Sequence, residues 1–386
     1  MPWSRTRPRS PEPDAEPSGG TAEKGERLSR TPCLSCGAQL TYASGTSTVR
    51  CANGGNEQAI GSSPWQMVVE RDLASALERA AAERLGDERP VLKCETCAAS
   101  FEADERAGAQ TCPFCGTAIV ASPERARLFR PNGVVPFAIP RDTARERLRA
   151  WLAGRWFGPS DLSRKAEAEA RLEGLYLPFW TYDCDTETEY RGARGLCITR
   201  HVPVAREVQG RLVIEMRPVV ELQGTPVSGR VARHFDDVLV PATATLPLHD
   251  LGRAGRWNTQ ALRPYAPEWP AGFRSGFYDI PLDRGFAEAQ ALMRAVIETD
   301  IRADIGVDAQ RIEAMRTRWS GATFKHVLLP LWIAAHRYRG RTWRFVVNGQ
   351  TGEAYGERPW NVWKIAAAVL AAAALAAAAL YLAGSG

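Results

Sequence analysis

Residues 94–115 read CETCAASFEADERAGAQTCPFC, and Gly116 follows. Two Cys-x-x-Cys pairs, Cys94/Cys97 and Cys112/Cys115, stand fourteen residues apart. This is the spacing of a zinc ribbon. Each pair sets two thiolates on a tight turn, and the chain between is long enough for a hairpin that brings the pairs together. Four soft sulfur ligands in a tetrahedron suit Zn²⁺ and leave no position for a reactive water. Such a site predicts structure rather than chemistry.

Working back towards the N-terminus, the pattern repeats with one defect. Cys33-Leu-Ser-Cys36-Gly37 is followed, again after fourteen residues, by Cys51. Gly54 stands where the fourth ligand belongs. Glu57, the Asn53 side chain or water are the candidates to fill that place. Two readings stay open: a second, weaker zinc at Cys33, Cys36 and Cys51, or an empty relic held by packing. Seven of the nine cysteines lie in these knuckles. Cys184 and Cys197 read as ordinary half-buried residues. An odd count with thiols grouped for metal fits a reducing compartment better than a disulfide framework.

At the other end, residues 365–383 read IAAAVLAAAALAAAALYLA, without charge. At about 1.5 Å per residue this reaches roughly 28 Å, near the hydrocarbon thickness of a bilayer. Trp360, Trp363 and Tyr381 fall where an aromatic belt sits, and Arg358 and Lys364 flank the N-terminal side. The expectation is a single-pass transmembrane helix over 361–383. It would tail-anchor the protein in the inner (cytoplasmic) membrane with the bulk of the chain in the cytoplasm. A soluble helix is the alternative, because alanine fills twelve of those nineteen positions. Residues 1–30 are rich in Pro, Arg, Ser and Glu, carry no apolar core of a signal peptide and read as a disordered tail.

Between these ends the expected fold class is α+β. Its order is a degenerate zinc ribbon (31–60), a helical spacer (61–92), a complete zinc ribbon (93–120), a mixed α/β globular domain with antiparallel sheets (130–358), and the transmembrane helix. Helices are expected over 72–86, with Asp72 as cap and Gly86 as stop, over 143–154 after a capping Asp142, over 160–174, and from Gly285 to Ile305. Strands are expected at RLVIEM (211–216), DVLVP (237–241) and TWRFVV (342–347), and NGQTGEAYG (348–356) reads as a hairpin end with positive φ at Asn348-Gly349.

Within the large domain LYLPFWTYDCDTETEYRG (175–192) echoes LLPLWIAAHRYRGRTWRF (328–345). Aligned at Trp180 and Trp332, the first run carries Asp183, Asp185, Glu187 and Glu189 on one face. The second carries Arg337, Arg339 and Arg341 on the equivalent face. The acidic row reads as a strand's polar face paired with basic neighbours in the same sheet. A carboxylate metal site is the sharper alternative.

The order of pieces resembles a family of bacterial zinc-ribbon proteins with a C-terminal membrane segment. Its members often carry the label "primosomal protein N-prime (replication factor Y), superfamily II helicase". The resemblance is carried by CLSCGAQL, CETCAASF, CPFCG, GLYLPFWTYDCDTETEYRGARG, HFDDVLVPA, ADIGVDAQRI, FKHVLLPLW and NGQTGEAYGERP. It implies a membrane-anchored zinc protein of undefined activity, with a complete first ribbon from which Gly54 departs.

Helicase activity is not supported by the residues. The five lysines are Lys24, Lys93, Lys165, Lys325 and Lys364, and none stands in G-x-x-x-x-G-K-[ST]. HExxH, G-x-S-x-G and G-x-G-x-x-G are absent as well. His234 with Asp236 and Asp237, and Lys325 with His326, are the polar clusters that remain, and each reads as a fold position. No catalytic residue is assigned. Nucleic-acid binding through the ribbons needs positive charge, yet residues 93–116 hold two basic against four acidic side chains. The preferred function is therefore a non-catalytic protein-interaction or assembly module. A nucleic-acid-binding accessory protein of replication or repair is the alternative. The overall charge of +5 could favour anionic lipid headgroups. The oligomeric state is not legible.

Overall fold

The chain around Leu177 alternates large apolar side chains without a polar face: Leu175, Leu177 and Phe179 on one side, Tyr176, Trp180 and Tyr182 on the other, all buried. A strand of this kind must be covered on both faces. In the computed structural model it is the centre of the molecule. The structure describes residues 32–61, 67–81, 87–97, 99–103, 109–120, 123–153, 172–208, 211–244, 257–306, 309–338, 341–356 and 362–384. The expected disordered tail (1–30) and nearly all of the expected 160–174 helix lie outside these. Its last three positions belong to a strand instead.

Ribbon one is a three-stranded antiparallel sheet of β1 (Leu40–Tyr42), β2 (Thr48–Cys51) and β3 (Glu57–Ala59). After β4 (Arg71–Asp72) comes α1 (Leu73–Ala81), where the Asp72 carboxylate accepts from Ser75 N at 2.8 Å, the expected cap. Ribbon two follows, with β5 (Asp87–Lys93), β6 (Ser100–Glu102), β7 (Gln110–Thr111), β8 (Ala118–Ile119) and β9 (Glu124–Leu128). The large sheet takes β10 (Gly133–Val134), then α2 (Arg141–Ala153), β11 (Leu172–Val208), β12 (Arg211–Pro241), β13 (Arg263–Pro264), β14 (Arg274–Ser275), α3 (Leu282–Ile305), β15 (Ala309–Tyr338), β16 (Arg341–Asn348) and β17 (Ala354–Gly356). Helix α4 (Val362–Gly384) ends the chain.

The α+β expectation is corrected: the described residues are mostly β-sheet, 49% strand against 24% helix. The surplus is long-range pairing that short patterns do not announce. The separate expectations at 211–216 and 237–241 are two ends of one 31-residue strand, β12, which pairs antiparallel with the 37-residue β11. Asp142 lies inside the first turn of α2 rather than capping it. Positive φ in the 348–356 turn belongs to Gly352, while a Cβ on Gly349 would come within 2.6 Å of the Phe137 ring.

The expected transmembrane helix is also corrected. Residues 362–384 are helical, but no helix among the described residues is long and apolar enough to cross a membrane. Alanine is the physical reason, since one methyl gains little on leaving water. The membrane, tail-anchor and inner-membrane readings, and the membrane as partner, fall with that helix.

The internal echo is a pseudo-twofold. Strands β11 and β15 pair antiparallel with Leu177 opposite Leu329, so the two Leu-Pro-x-Trp motifs lie across each other. The symmetry reaches beyond the pair. Pro178 O accepts Ala242 N at 3.0 Å, and Pro330 O accepts Gly349 N at 3.0 Å. Tyr176 O accepts Gly276 N at 2.7 Å, and Leu328 O accepts Val135 N at 2.9 Å. The Trp180 indole donates to Ile280 O at 3.0 Å, and the Trp332 indole donates to Ile139 O at 2.9 Å. Each carbonyl belongs to an Ile-Pro-x-Asp sequence that opens a helix, α3 or α2. Each half thus docks its tryptophan on the other half's helix start.

Three clusters cover the central pair. Leu175, Leu177, Phe179, Val327, Leu329 and Leu331 pack with Phe101 and Phe114 of ribbon two. On the opposite face, Tyr176, Leu328 and Trp332 pack with α2 and with Leu40, Tyr42 and Val49 of ribbon one. Trp180, Tyr182 and Phe324 pack with Ala289, Met293, Ile297 and Ile301 of α3. That helix buries one stripe and stops at Gly306, whose φ is 64°.

Trp180→Phe and Trp332→Phe each remove one donor to a helix-start carbonyl. If the halves are energetically equivalent, each should cost about 1–3 kcal/mol in chemical denaturation. A large loss in one and none in the other would break the equivalence.

Candidate metal centres

The knuckles are built by backbone hydrogen bonds before any metal is considered. In ribbon one, Cys33 N donates to Ala38 O at 2.7 Å and Gly37 N to Cys33 O at 2.8 Å. In ribbon two, Cys112 N donates to Thr117 O at 2.8 Å and Gly116 N to Cys112 O at 2.9 Å. The incomplete knuckle repeats both bonds: Cys51 N to Asn56 O and Gly55 N to Cys51 O, each 2.9 Å. Gly37, Gly55 and Gly116 all adopt positive φ, at 70°, 66° and 75°. Only glycine takes that conformation cheaply. Gly55 is therefore the turn glycine, and Gly54 occupies the ligand position.

In ribbon two the four Sγ atoms of Cys94, Cys97, Cys112 and Cys115 lie within 4.8 Å of one another. Cys94–Cys115 is 3.6 Å and Cys97–Cys112 is 3.7 Å. A tetrahedron with metal–sulfur bonds of about 2.3 Å has edges of roughly 3.8 Å. The cysteines lie close enough to hold a metal ion, and their donor set fits a four-thiolate shell. Cys112 hydrogen-bonds to Cys97 and is the main cause of a Cys97 pKa lowered to about 5; the same contact and burial push Cys112 up. One thiolate is ready to receive a cation.

In ribbon one Cys33, Cys36 and Cys51 also lie within 4.8 Å of one another, with Cys36–Cys51 at 3.5 Å. Backbone N–H groups of Ser35 and then Cys36 lower Cys33 to about 7. Among the described residues no His, Asp or Glu joins this group. Glu57, one candidate for the fourth place, pairs with Arg50 at 3.0 Å instead. Cys184 is wholly buried rather than half-buried, and burial raises its pKa. The side chain of Cys197 lies outside the described residues.

The acidic row divides. Asp185, Glu187 and Glu189 pair at the surface: with His234 at 2.8 Å, with Arg318 at 3.4 Å, and with Arg230 at 2.7 Å. Such exposed pairs contribute about 0–1 kcal/mol each. The partners come from β12 and β15, not from the Arg337, Arg339 and Arg341 run. Arg337 and Arg341 sit in the β15–β16 hairpin, and Arg339 lies outside the described residues. The pseudo-twofold is the reason. Equivalent positions meet only at the axis, where Leu177 faces Leu329, and those farther along the two strands lie at opposite ends of the sheet.

Asp183 departs from that row. It is buried at a bulge where the register shifts between Tyr182 and Cys184, opposite Asp236-Asp237. Lys325 Nζ, almost fully buried, lies 2.9 Å from Glu70, 3.2 Å from Asp183 and 2.8 Å from Asp237. The ammonium donates to Glu70 and Asp183 and is ion-paired with Asp237, a compact arrangement that a planar guanidinium would not match. Burial pulls the Lys325 pKa down, but bonds to Asp237 and Glu70 and the charge of Asp183 outweigh it and raise the pKa overall. Burial pushes Asp183 up ahead of the lowering by Asp237 N–H and Lys325. Asp237 holds φ of 51°, the one positive value outside glycine among the described residues. Asp183, Asp236 and Asp237 form a third group with metal-ligand spacing, but Lys325 already supplies the cation. Sequence reading separated Lys325 from Asp237. The available signal was a single lysine inside the apolar run FKHVLLPLW.

His326 faces away from this cluster. Its ring lies tilted against Trp180 at 4.9 Å between centres, its Nδ1 lies 3.0 Å from Phe129 O, and burial drives its pKa down to about 3. It is a neutral core residue near pH 7.

No family model matches the chain, and no solved structure matches it. Among curated proteins it is similar to "Uncharacterized protein YdjG" of Bacillus subtilis (strain 168). The two are 22% identical over 351 residues, 87% of this chain and 91% of that protein. The likeness runs through nearly the whole of both chains.

Two outcomes are expected. Cys97→Ser should remove one equivalent of metal. Because Phe101 and Phe114 belong to the sheet's core, it should also lower the melting temperature of the whole chain in one transition. Elemental analysis with calorimetry checks this, and unchanged metal content and melting would reject it. Lys325→Met should cost about 3–5 kcal/mol at pH 7, because it strands buried carboxylate charge. Asp183 already has a raised folded pKa, so protonation favours the fold. The penalty should shrink as pH falls from 7 towards the ordinary aspartate range, and a pH-independent loss in denaturant melts would count against the network.

Proposed function

We propose that the protein is a non-catalytic interaction module whose ribbons are stabilised by zinc and whose partner is a protein. The closed four-thiolate shell of ribbon two supports a structural metal, and its soft, tetrahedral donor set favours Zn²⁺. The observation that carries the interaction reading is the arm.

Strand β15 begins at Ala309 opposite Gly195, and beyond that point β11 and β12 continue as a two-stranded ribbon. Residues directly opposite share a face, so Ala205 stands with Ile214 and Pro203 with Met216. That face is apolar and uncovered: Ile214 is 70% and Met216 55% exposed. The other face is mixed: Arg200, Glu215 and Arg217 stand among Val204 and Val219, which are also exposed. An isolated two-stranded ribbon is marginal in water. With uncovered apolar side chains on both faces, the arm fits a partner that adds an extended, apolar segment along its edge, by main-chain hydrogen bonds and side-chain contact.

A photo-crosslinking residue at Met216, in the full chain within its own cells, should yield one discrete protein adduct. Ile214→Glu should abolish that adduct while leaving metal content and melting temperature unchanged. Adducts with nucleic acid, or a protein adduct indifferent to Ile214→Glu, would overturn the reading.

A further inference from the structure

The incomplete knuckle of ribbon one is not collapsed. Its two backbone bonds, Cys51 N to Asn56 O and Gly55 N to Cys51 O, match those of the complete knuckles, and Gly55 keeps the positive φ of their turn glycines. What is missing is one ligand, and its place is open. A Cβ built on Gly54 would meet nothing within 4 Å, and Gly54 itself is not in the left-handed region. No other described His, Asp or Glu approaches the three sulfurs. Asn56, the nearest amide downstream, is engaged, donating to Ser35 Oγ at 3.1 Å. Cys36 stands exposed at the rim.

We infer that ribbon one holds a metal ion through Cys33, Cys36 and Cys51 with its fourth coordination position open to a thiolate from outside the chain. Three protein ligands with an open position are the arrangement of metal sites that exchange a ligand, in contrast to closed structural sites. Three thiolates mark the ion as thiophilic, so a fourth soft donor is the chemistry it favours over water. On binding, the incoming thiol releases its proton to solvent, a sulfur–metal bond forms, and the bound water leaves. No electron is transferred. Ribbon two, closed by Cys115, is the internal control, and the two ribbons divide structural from exchangeable metal. This inference rests on the metal-binding reading of both ribbons.

The test uses the full chain loaded with Co²⁺, whose thiolate charge-transfer absorbance reports sulfur ligands. Seven cysteines stand in the two groups. Two cobalt ions per chain are expected, and 2-mercaptoethanol should raise the charge-transfer absorbance by about one-seventh, the share of an eighth thiolate. A single-cysteine peptide titrated alongside separates a small-molecule thiol from a protein cysteine, by which donor saturates at lower concentration. Gly54→Cys should start at the raised absorbance and show no further rise. One cobalt per chain would overturn the metal reading of ribbon one itself. Two cobalts with no response to either thiol would overturn the open position and leave the metal reading standing.

Discussion

The contact on which the molecule depends is the antiparallel crossing of two Leu-Pro-x-Trp strands at Leu177 and Leu329. Both strands are apolar on both faces, so the pair cannot exist as a sheet surface. It has to be enclosed. Helices α2 and α3 close one face at the two ends of the crossing, each held by the tryptophan of the opposite half. Ribbon two closes the other face at the centre, through Phe101 and Phe114. The rest of the large sheet extends this crossing outward.

That enclosure changes what the metal centres mean. A small ribbon has too little core to fold alone, and metal binding supplies its folding free energy. Here the same ribbon supplies two fully buried aromatic rings to the large domain. Cys94 and Cys112 belong to one buried cluster with Leu177 and Leu329. A metal held by these cysteines would therefore be coupled to the sheet directly. Ribbon one makes a similar contribution, with Tyr42 edge-on to Trp269 at 5.3 Å between ring centres. An incomplete ligand set at Gly54 is compatible with a folded ribbon because packing substitutes for part of what the fourth thiolate would give.

Much of this was legible in residue spacing where the determinants are local. The Cys-x-x-Cys turns, the Asp72 cap, the α3 stripe and the tryptophan motifs each depend on a few neighbouring residues. Long-range pairing was not legible. Residues 196–223 lack a simple alternation, because beyond Gly195 the strands lose their third neighbour and the core that would impose one. The Ile-Pro-x-Asp echo at Ile139 and Ile280 is short, and its meaning rests on an indole donor from elsewhere in the chain. Lys325, Asp183 and Asp237 meet only because a bulge places one aspartate opposite two. The C-terminal segment misled for a different reason. Its length and lack of charge suit a membrane, but alanine makes length a poor measure of apolarity.

The Leu177–Leu329 crossing also sets an order of events at the ribosome. Its two halves are separated by about 150 residues of chain. At roughly 5–20 residues per second, about 8–30 s pass between the emergence of one strand and that of the other. During that interval β11 has β12 and then the short β14 available, and a hairpin of β11 with β12 can zip from its turn within microseconds. The nascent chain would then carry a long hairpin whose edge towards β15 and whose Trp180 face are bare at its base. Such an intermediate is a natural substrate for a chaperone. Its exposure ends only when β15 slides into the free edge and α3 swings over Trp180.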